Sequence, residues 1–402
     1  MLKKDNFFKN YFINLSKYNN NVKKTKKVFN SFIIDLKNNK IPLLESYEKN
    51  YEFNFVSATV KKFSIYQNII IIGMGGSILG TKSSYSFLKK KIKKNVFFFD
   101  NLDPNLFLKY KKIKNLKNSC FILAGKSGRT IETIINLGTI FSKNLLKNKL
   151  IIITEITDNA LMAIANKYNA EIIEHKEFIG GRYSVLSETG MFPAALMGLN
   201  LMKFKNLKRL INNKNFISSL IQNVASIHTL NSKKINNSVI LNYDSSLNDL
   251  GYWYQQLVAE SLGKQGKGIN PILSFGPKDH HSLLQLYLDG PKDKFFTFFN
   301  SSKRENKLKV ARGIIPNNMG FLINKNLEFI INAQCNATKN IFKLKKIPFR
   351  QITFNKKNED ELGEIFTFFV LETILLSRLM NINPFDQPAV EQVKIETKRF
   401  LR

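Results

Sequence analysis

Asn68-Ile-Ile-Ile-Ile-Gly-Met-Gly-Gly-Ser77 decides the fold class. Four consecutive isoleucines describe a strand buried on both faces, because a half-solvated strand would alternate apolar and polar residues. The run ends at Gly73, and a helical pattern begins near Ser77. Glycines between a strand and a helix let backbone N–H groups approach a ligand, and the helix N-terminus favours an anion. The spacing is not the dinucleotide fingerprint, since Ile78 stands where a third glycine belongs. Nor is it a Walker A loop, since Thr81 stands where that loop has lysine. A tight turn with no ligand fits this loop equally well.

Working outward, Val96-Phe-Phe-Phe-Asp100, Cys120-Phe-Ile-Leu-Ala124 and Leu150-Ile-Ile-Ile-Thr154 repeat the pattern. Strand, loop and helix in succession predict a parallel α/β sheet. Gly125-Lys-Ser-Gly-Arg-Thr130 forms a second loop before a helical stretch. There Lys126, Ser127 and Thr130 add a charge and two hydroxyls to free N–H groups, the composition of a phosphate cradle. Two such loops on one sheet point to a phosphorylated small molecule at its switch point.

The same grammar restarts after about residue 200, with strands at Val239–Tyr243, Phe295–Phe299 and Gln351–Phe354. Helices are predicted at 247–262, 326–342 and 358–380, and a polar one from about Asp386. Residues 20–50 predict a lysine-rich helix. The expected organisation is an N-terminal helical segment (1–45), two α/β domains (46–202 and 203–380) packed around a cleft, and a C-terminal helix (381–402) completing the site. The apolar 358–380 helix is expected to have surface to spare for a second subunit.

The chain has 402 residues, of which 44% are hydrophobic, enough for two cores and against disorder. Lys and Arg number 62 against 30 Asp and Glu, a net charge of +32. Only nine of the 62 are arginine, and the lysines are scattered among Asn, Ile and Phe. Nucleic-acid recognition would favour arginine gathered on one face, so no nucleic-acid partner is expected. The charge instead favours anionic small molecules. Two cysteines form no disulfide framework, and no apolar run reaches membrane length, so a soluble cytoplasmic protein without a membrane partner is expected. The four histidines and two cysteines show no ligand spacing, so no metal site is expected.

Gly180-Gly-Arg-Tyr-Ser184 aims a single guanidinium, Arg182, after two glycines. In the helix at 247–262, Glu260 lies two turns from Trp253 at the edge of the apolar face, near the helix C-terminus. A carboxylate there opposes the helix dipole and suits a base. The ordinary reading pairs it with Lys264. Adjacent His280 and His281 are a poor chelating pair, but one of them suits acid/base work. Gln387, Glu391 and Lys394 share one face of the last helix at i, i+4 and i+7.

The order and wording of these segments resemble phosphoglucose isomerase over roughly residues 65–402. The carriers are Ile72–Ser77, Gly125–Thr133, Gly180–Ser187, Trp253–Lys264, His281–Gln285 and Phe385–Lys394. The first two are shared with sugar isomerase (SIS) domains generally, whereas Gly-Gly-Arg-Tyr-Ser and Phe-Asp-Gln with the later Val-Glu and Lys are specific to the family. The resemblance implies two SIS-type domains, each a parallel sheet flanked by helices. It implies interconversion of glucose 6-phosphate and fructose 6-phosphate through a cis-enediolate, in glycolysis and gluconeogenesis, with no metal or organic cofactor required. Glu260 is then the base, His281 and Lys394 assist ring opening, and Arg182 stabilises the enediolate. Gly76, Ser77, Lys126, Ser127 and Thr130 hold the phosphate, and Gln387 helps close the site. A homodimer is implied, with the histidine reaching the partner's site. Gly125 and Ala389 depart from the family pattern, which commonly has serine and glycine there. A phosphomannose-accepting relative would differ around C2. A regulatory SIS protein would keep the two loops but would not need Glu260, His281 and Lys394 together.

Overall fold

A computed structural model of the chain describes residues 3–6, 8, 15–111, 113–140, 149–302 and 308–402. Among these residues, ten strands form two five-stranded sheets. They are β1 (Lys3–Asn6), β2 (Asn68–Gly73), β3 (Asn95–Phe99), β4 (Ser119–Ala124), β5 (Leu150–Thr154), β6 (Glu171–Glu174), β7 (Asn237–Asn242), β8 (Asn270–Phe275), β9 (Lys294–Ser301) and β10 (Phe349–Phe354).

The first sheet has the order β3-β2-β4-β5-β6, every pair parallel. β2, β4 and β5 are buried at every position, as their unbroken apolar runs require. The chain crosses from β2 outward to β3, then returns to place β4 on the other side of β2. The direction of winding therefore reverses between β2 and β4, and a crevice opens outside their carboxyl ends. Both glycine loops leave from those two strand ends.

The second sheet has the order β1-β10-β9-β7-β8. Its last four strands are parallel, and β1 is added antiparallel to β10, Lys3 opposite Thr353 and Asn6 opposite Arg350. The N-terminal segment thus supplies a strand as well as the helix Leu15–Lys37. That helix packs on helices Lys214–Asn231 and Glu359–Met380, on the second sheet's side.

Helix Glu359–Met380 corrects one expectation. It is buried along nearly its whole length, from Glu361 through Ser377 without a break. The N-terminal helix and helices Lys214–Asn231 and Asn248–Leu262 enclose it, so its apolar faces have no surface left for a second subunit. Phe366 meets Trp253 edge-on at 4.7 Å, and Glu372 pairs with the equally buried Arg350 of β10.

The two sheets are joined through helices Gly76–Leu88 and Asn248–Leu262, which pack against each other. Ser83 donates to the carbonyl of Asp249 at 2.9 Å across that contact. Among the described residues, no helix is long and apolar enough to cross a membrane.

Candidate active site

The loop after β2 turns on Gly75, whose φ of +53° few other residues tolerate. A Cβ at Gly75 would lie 2.7 Å from Nε2 of Gln256. A Cβ at Gly76 would lie 2.2 Å from the carbonyl carbon of Gly181 and 2.6 Å from the Arg182 nitrogen. The two glycine motifs therefore touch backbone to backbone. Glycine at 76 is what allows the Gly181–Leu186 3-10 helix, with Arg182 on it, to sit beside the first loop.

The loop after β4 has Gly128 at φ +62°, where a Cβ would lie 1.9 Å from Oδ1 of Asn159. That same oxygen caps helix Ala160–Tyr168 by accepting from the Met162 N–H at 3.0 Å. Ser127 is exposed and Thr130 half-buried, just before helix Ile131–Ile140. The ammonium of Lys126 donates to the Glu177 carbonyl at 2.7 Å and lies 3.6 Å from the Glu155 carboxylate. It borders an open cavity of about 280 Å³ shared with Gly180, Tyr183 and Phe385.

In the second sheet, the loops after β7 and β10 hold carboxylates of the chain's own. Asp244, after β7, is 2.5 Å from the Lys357 ammonium. Glu361 accepts the backbone N–H groups of Asn355, Lys356 and Lys357 at 2.9–3.1 Å.

Arg182 is 2% exposed and is the hub of the site. Nε donates to Oγ of Ser261 at 2.8 Å. Nη1 donates to Oε1 of Gln387 at 2.7 Å and to Oε2 of Glu260 at 3.4 Å. Nη2 donates to the carbonyls of Pro384 and of Asp386, the latter at 3.0 Å. Every N–H of the guanidinium has a protein acceptor. Tyr183, next in sequence, shares Ser261 and donates to the Pro384 carbonyl at 3.0 Å. Burial pushes its phenol up, which keeps the donor proton in place.

Glu260 lies in the last turn of helix Asn248–Leu262, its side chain 28% exposed. Nε2 of Gln256, one turn earlier, donates to its Oε1 at 2.9 Å. Gln256 thus touches both the Gly75 loop and the carboxylate. Lys264 does not pair with Glu260. Its ammonium lies on Asp386 instead, 2.6 Å from Oδ1, and Arg182 is the cation beside the glutamate.

Gln387 reaches the cluster, but not from the face of a helix. Its φ of −160° is extended, it precedes the short turn Pro388–Val390, and the last helix is Glu391–Phe400. The expected row of Gln387, Glu391 and Lys394 is therefore broken. Lys394 is exposed and bonded to Glu391, 2.5 Å away, outside the Arg182 cluster. His281 is also exposed and outside it, on the turn Lys278–His281 after β8. Asp279 fixes that turn by accepting the Phe275 N–H at 2.7 Å and the Ser274 hydroxyl at 2.8 Å. His280 anchors it from the other side, with Nε2 2.6 Å from the Tyr243 hydroxyl.

One chain therefore brings together Gly76, Arg182, Glu260 and Gln387, beside the loops that carry Ser77, Lys126, Ser127 and Thr130. Sequence reasoning missed Gln256, Ser261 and Tyr183. The i, i+4 spacing of Gln256 and Glu260 was a usable signal. Ser261 and Tyr183 had none beyond adjacency to Glu260 and Arg182. Among the described residues, no group of three or more His, Cys, Asp or Glu side chains is placed to hold a metal.

A family model described as phosphoglucose isomerase matches residues 39–278. Glucose-6-phosphate isomerase of Methanocaldococcus jannaschii is 35% identical over 343 residues, covering 83% of this chain and 84% of its own. Among solved structures, a hypothetical protein of Thermus thermophilus superposes with a TM-score of 0.82 at 21% identity, covering 100% of both chains. A glucose-6-phosphate isomerase of Chlamydia trachomatis superposes with a TM-score of 0.72 at 17% identity, covering 86% of this chain and 72% of its own.

Proposed function

Because the chain belongs to the phosphoglucose isomerase family, we propose that it interconverts glucose 6-phosphate and fructose 6-phosphate with Glu260 as the base. The observation that carries this reading is the pairing of a partly exposed carboxylate with a buried guanidinium. The pair stands beside the glycine loop after β2, which Gln256 also meets.

The phosphate sits at the first sheet's switch point, on the N–H of Gly76 and the hydroxyls of Ser77, Ser127 and Thr130. Lys126 adds its charge. Helix N-termini and glycine loops suit a dianion there. Ring opening needs a proton delivered to the ring oxygen and one taken from the anomeric hydroxyl, and Lys394 and His281 supply these roles. Glu260 then removes the proton from C2 and returns it to C1, while a proton passes between the two oxygens. A placed acid/base group contributes about 10² to 10⁴ in rate. Arg182 acts as a fixed cation beside the developing oxyanion. Since its N–H groups are all engaged, a substrate oxygen gains a direct bond only where Gln387 yields one.

The working unit is a homodimer in which His281 of one copy completes the other's site. Support comes from a histidine held on a rigid turn yet exposed, away from its own chain's Arg182. Apolar side chains left outside, Ile314, Phe321 and Phe400 among them, supply surface for such contact.

The test is a coupled assay of the purified protein with fructose 6-phosphate. Glucose 6-phosphate should accumulate to equilibrium. Failure to form it, by folded protein, overturns the reading.

A further inference from the structure

Lys264 follows helix Asn248–Leu262 by two residues and Glu260 by four. Its side chain is 12% exposed. The ammonium meets three acceptors: the carbonyls of Asn383 and Asp386 and the Asp386 carboxylate, at 2.5–2.6 Å. An ammonium has three donors, so the set is complete. From the opposite side, Arg182 and Tyr183 donate to the carbonyls of Pro384 and Asp386. Asn383 turns the segment on itself by accepting the Phe385 N–H at 3.0 Å and donating to Asp386 at 2.9 Å.

Carbonyls of Asn383, Pro384 and Asp386 are thus held between two cations and a phenol. The next residue, Gln387, reaches Arg182. From Phe385 to the end of the chain every residue is exposed. The clasp is therefore what ties this chain's last segment to its own site.

We infer that Lys264 is a positioning residue for the reaction, docking Asn383–Asp386 so that Gln387 meets Arg182 and the helix bearing Lys394 starts from a fixed point. The inference rests on the isomerase reading for its effect on rate, but the docking itself does not. A solvated surface ion pair would contribute little. Backbone carbonyls held by a lysine whose side chain is mostly covered fix geometry, and a displacement of about 1 Å near reacting groups lowers rate by about 10²-fold.

The test uses the full chain with Lys264→Met and Lys264→Arg. Amide hydrogen exchange across Phe385–Gln387 should quicken about tenfold or more in the methionine variant, with the helix bearing Glu260 unchanged. Turnover of glucose 6-phosphate should fall by about 10- to 100-fold while KM stays within about threefold. Arginine, which can donate to the same acceptors, should restore both. If the methionine variant does not fold, Lys264→Gln takes its place. Unchanged exchange overturns the docking whatever the activity. Faster exchange with wild-type turnover overturns the positioning role. A wild-type chain without isomerase activity overturns the functional reading, and the exchange measurement still decides the docking.

Discussion

Arg182 and Glu260, 78 residues apart in the chain, meet with Nη1 3.4 Å from Oε2. The arginine is buried and the glutamate reaches solvent. The asymmetry suits the chemistry. A buried cation held by Ser261 and two carbonyls cannot swing away, whereas a carboxylate open on one side can take a proton from a ligand and give it back. Gln256 limits that freedom by holding one carboxylate oxygen at 2.9 Å.

Replacing the base tests the assignment directly. Glu260→Gln keeps the shape and an oxygen for Arg182 while removing the proton acceptor. Turnover should fall by about 10² to 10⁴, with sugar-phosphate binding by calorimetry close to wild type. Wild-type turnover in the glutamine variant would leave Glu260 a structural partner of Arg182.

Much of this site was legible in the sequence because its parts are local. The isoleucine run of β2 and the apolar run of β4 could only be buried parallel strands, and each delivers a glycine loop. What stayed hidden depends on residues far apart. Lys-Lys-Asp-Asn at 3–6 has no apolar pattern, and it becomes a strand by pairing with the edge of β10. Glu171–Glu174 has charged ends and lies at the edge of the first sheet, so it lacks the run that marks the central strands. The apolar richness of Glu359–Met380 showed that it is buried, but not against what, and its neighbours come from within the chain. Lys264 illustrates the limit at the site. Spacing alone favoured Glu260, four residues away, yet it bonds Asp386, 122 residues away.

The contact between the two glycine motifs predicts an intolerance at one position. In Gly76→Ala the added methyl meets the backbone of Gly181 and Arg182, which no rotamer change can relieve. Overpacking of this kind costs about 1 to 3 kcal/mol. Moving Arg182 relative to the first loop should lower turnover by about 10²-fold. Gly138→Ala is the control: it lies in helix Ile131–Ile140 with nothing within 4 Å of the new Cβ. That variant should gain about 0.5 to 1 kcal/mol and keep its activity. Thermal melts and steady-state kinetics of both variants decide it, and full activity in Gly76→Ala would show that the loops separate freely.

Exposure of His281 outside its own chain's cluster predicts complementation. His281→Ala and Glu260→Gln chains should each be inactive. Mixed after subunit exchange, they form heterodimers with one site that has both residues, and activity should return to a fraction set by the heterodimer population. No recovery, with exchange demonstrated by labelled subunits, would place both residues in one chain's site.

Lys205 predicts a pH dependence of stability. It is fully buried, donating to the carbonyls of Ser46 at 2.7 Å and Leu186 at 3.1 Å, with the rings of Tyr51 and Phe53 each 4.2 Å from its ammonium. Leu186 ends the 3-10 helix that carries Arg182, so the lysine braces the site from below. Burial lowers its pKa from 10.5 to about 7, with Glu188 and Glu48 opposing the shift and Lys176 adding to it. Between those two values the unfolded chain keeps a proton that the folded chain has released. The folded state therefore gains stability as pH rises through this window, by at most about 1.4 kcal/mol per pH unit. Below the folded value both states are charged and this contribution is flat. Lys205→Met removes the charge and keeps much of the length. Denaturant unfolding of both proteins from pH 6 to 10 should show wild type gaining on the variant above neutrality and not below it. A difference that stays constant across the range would mean that the two carbonyls and two rings keep Lys205 charged inside the fold.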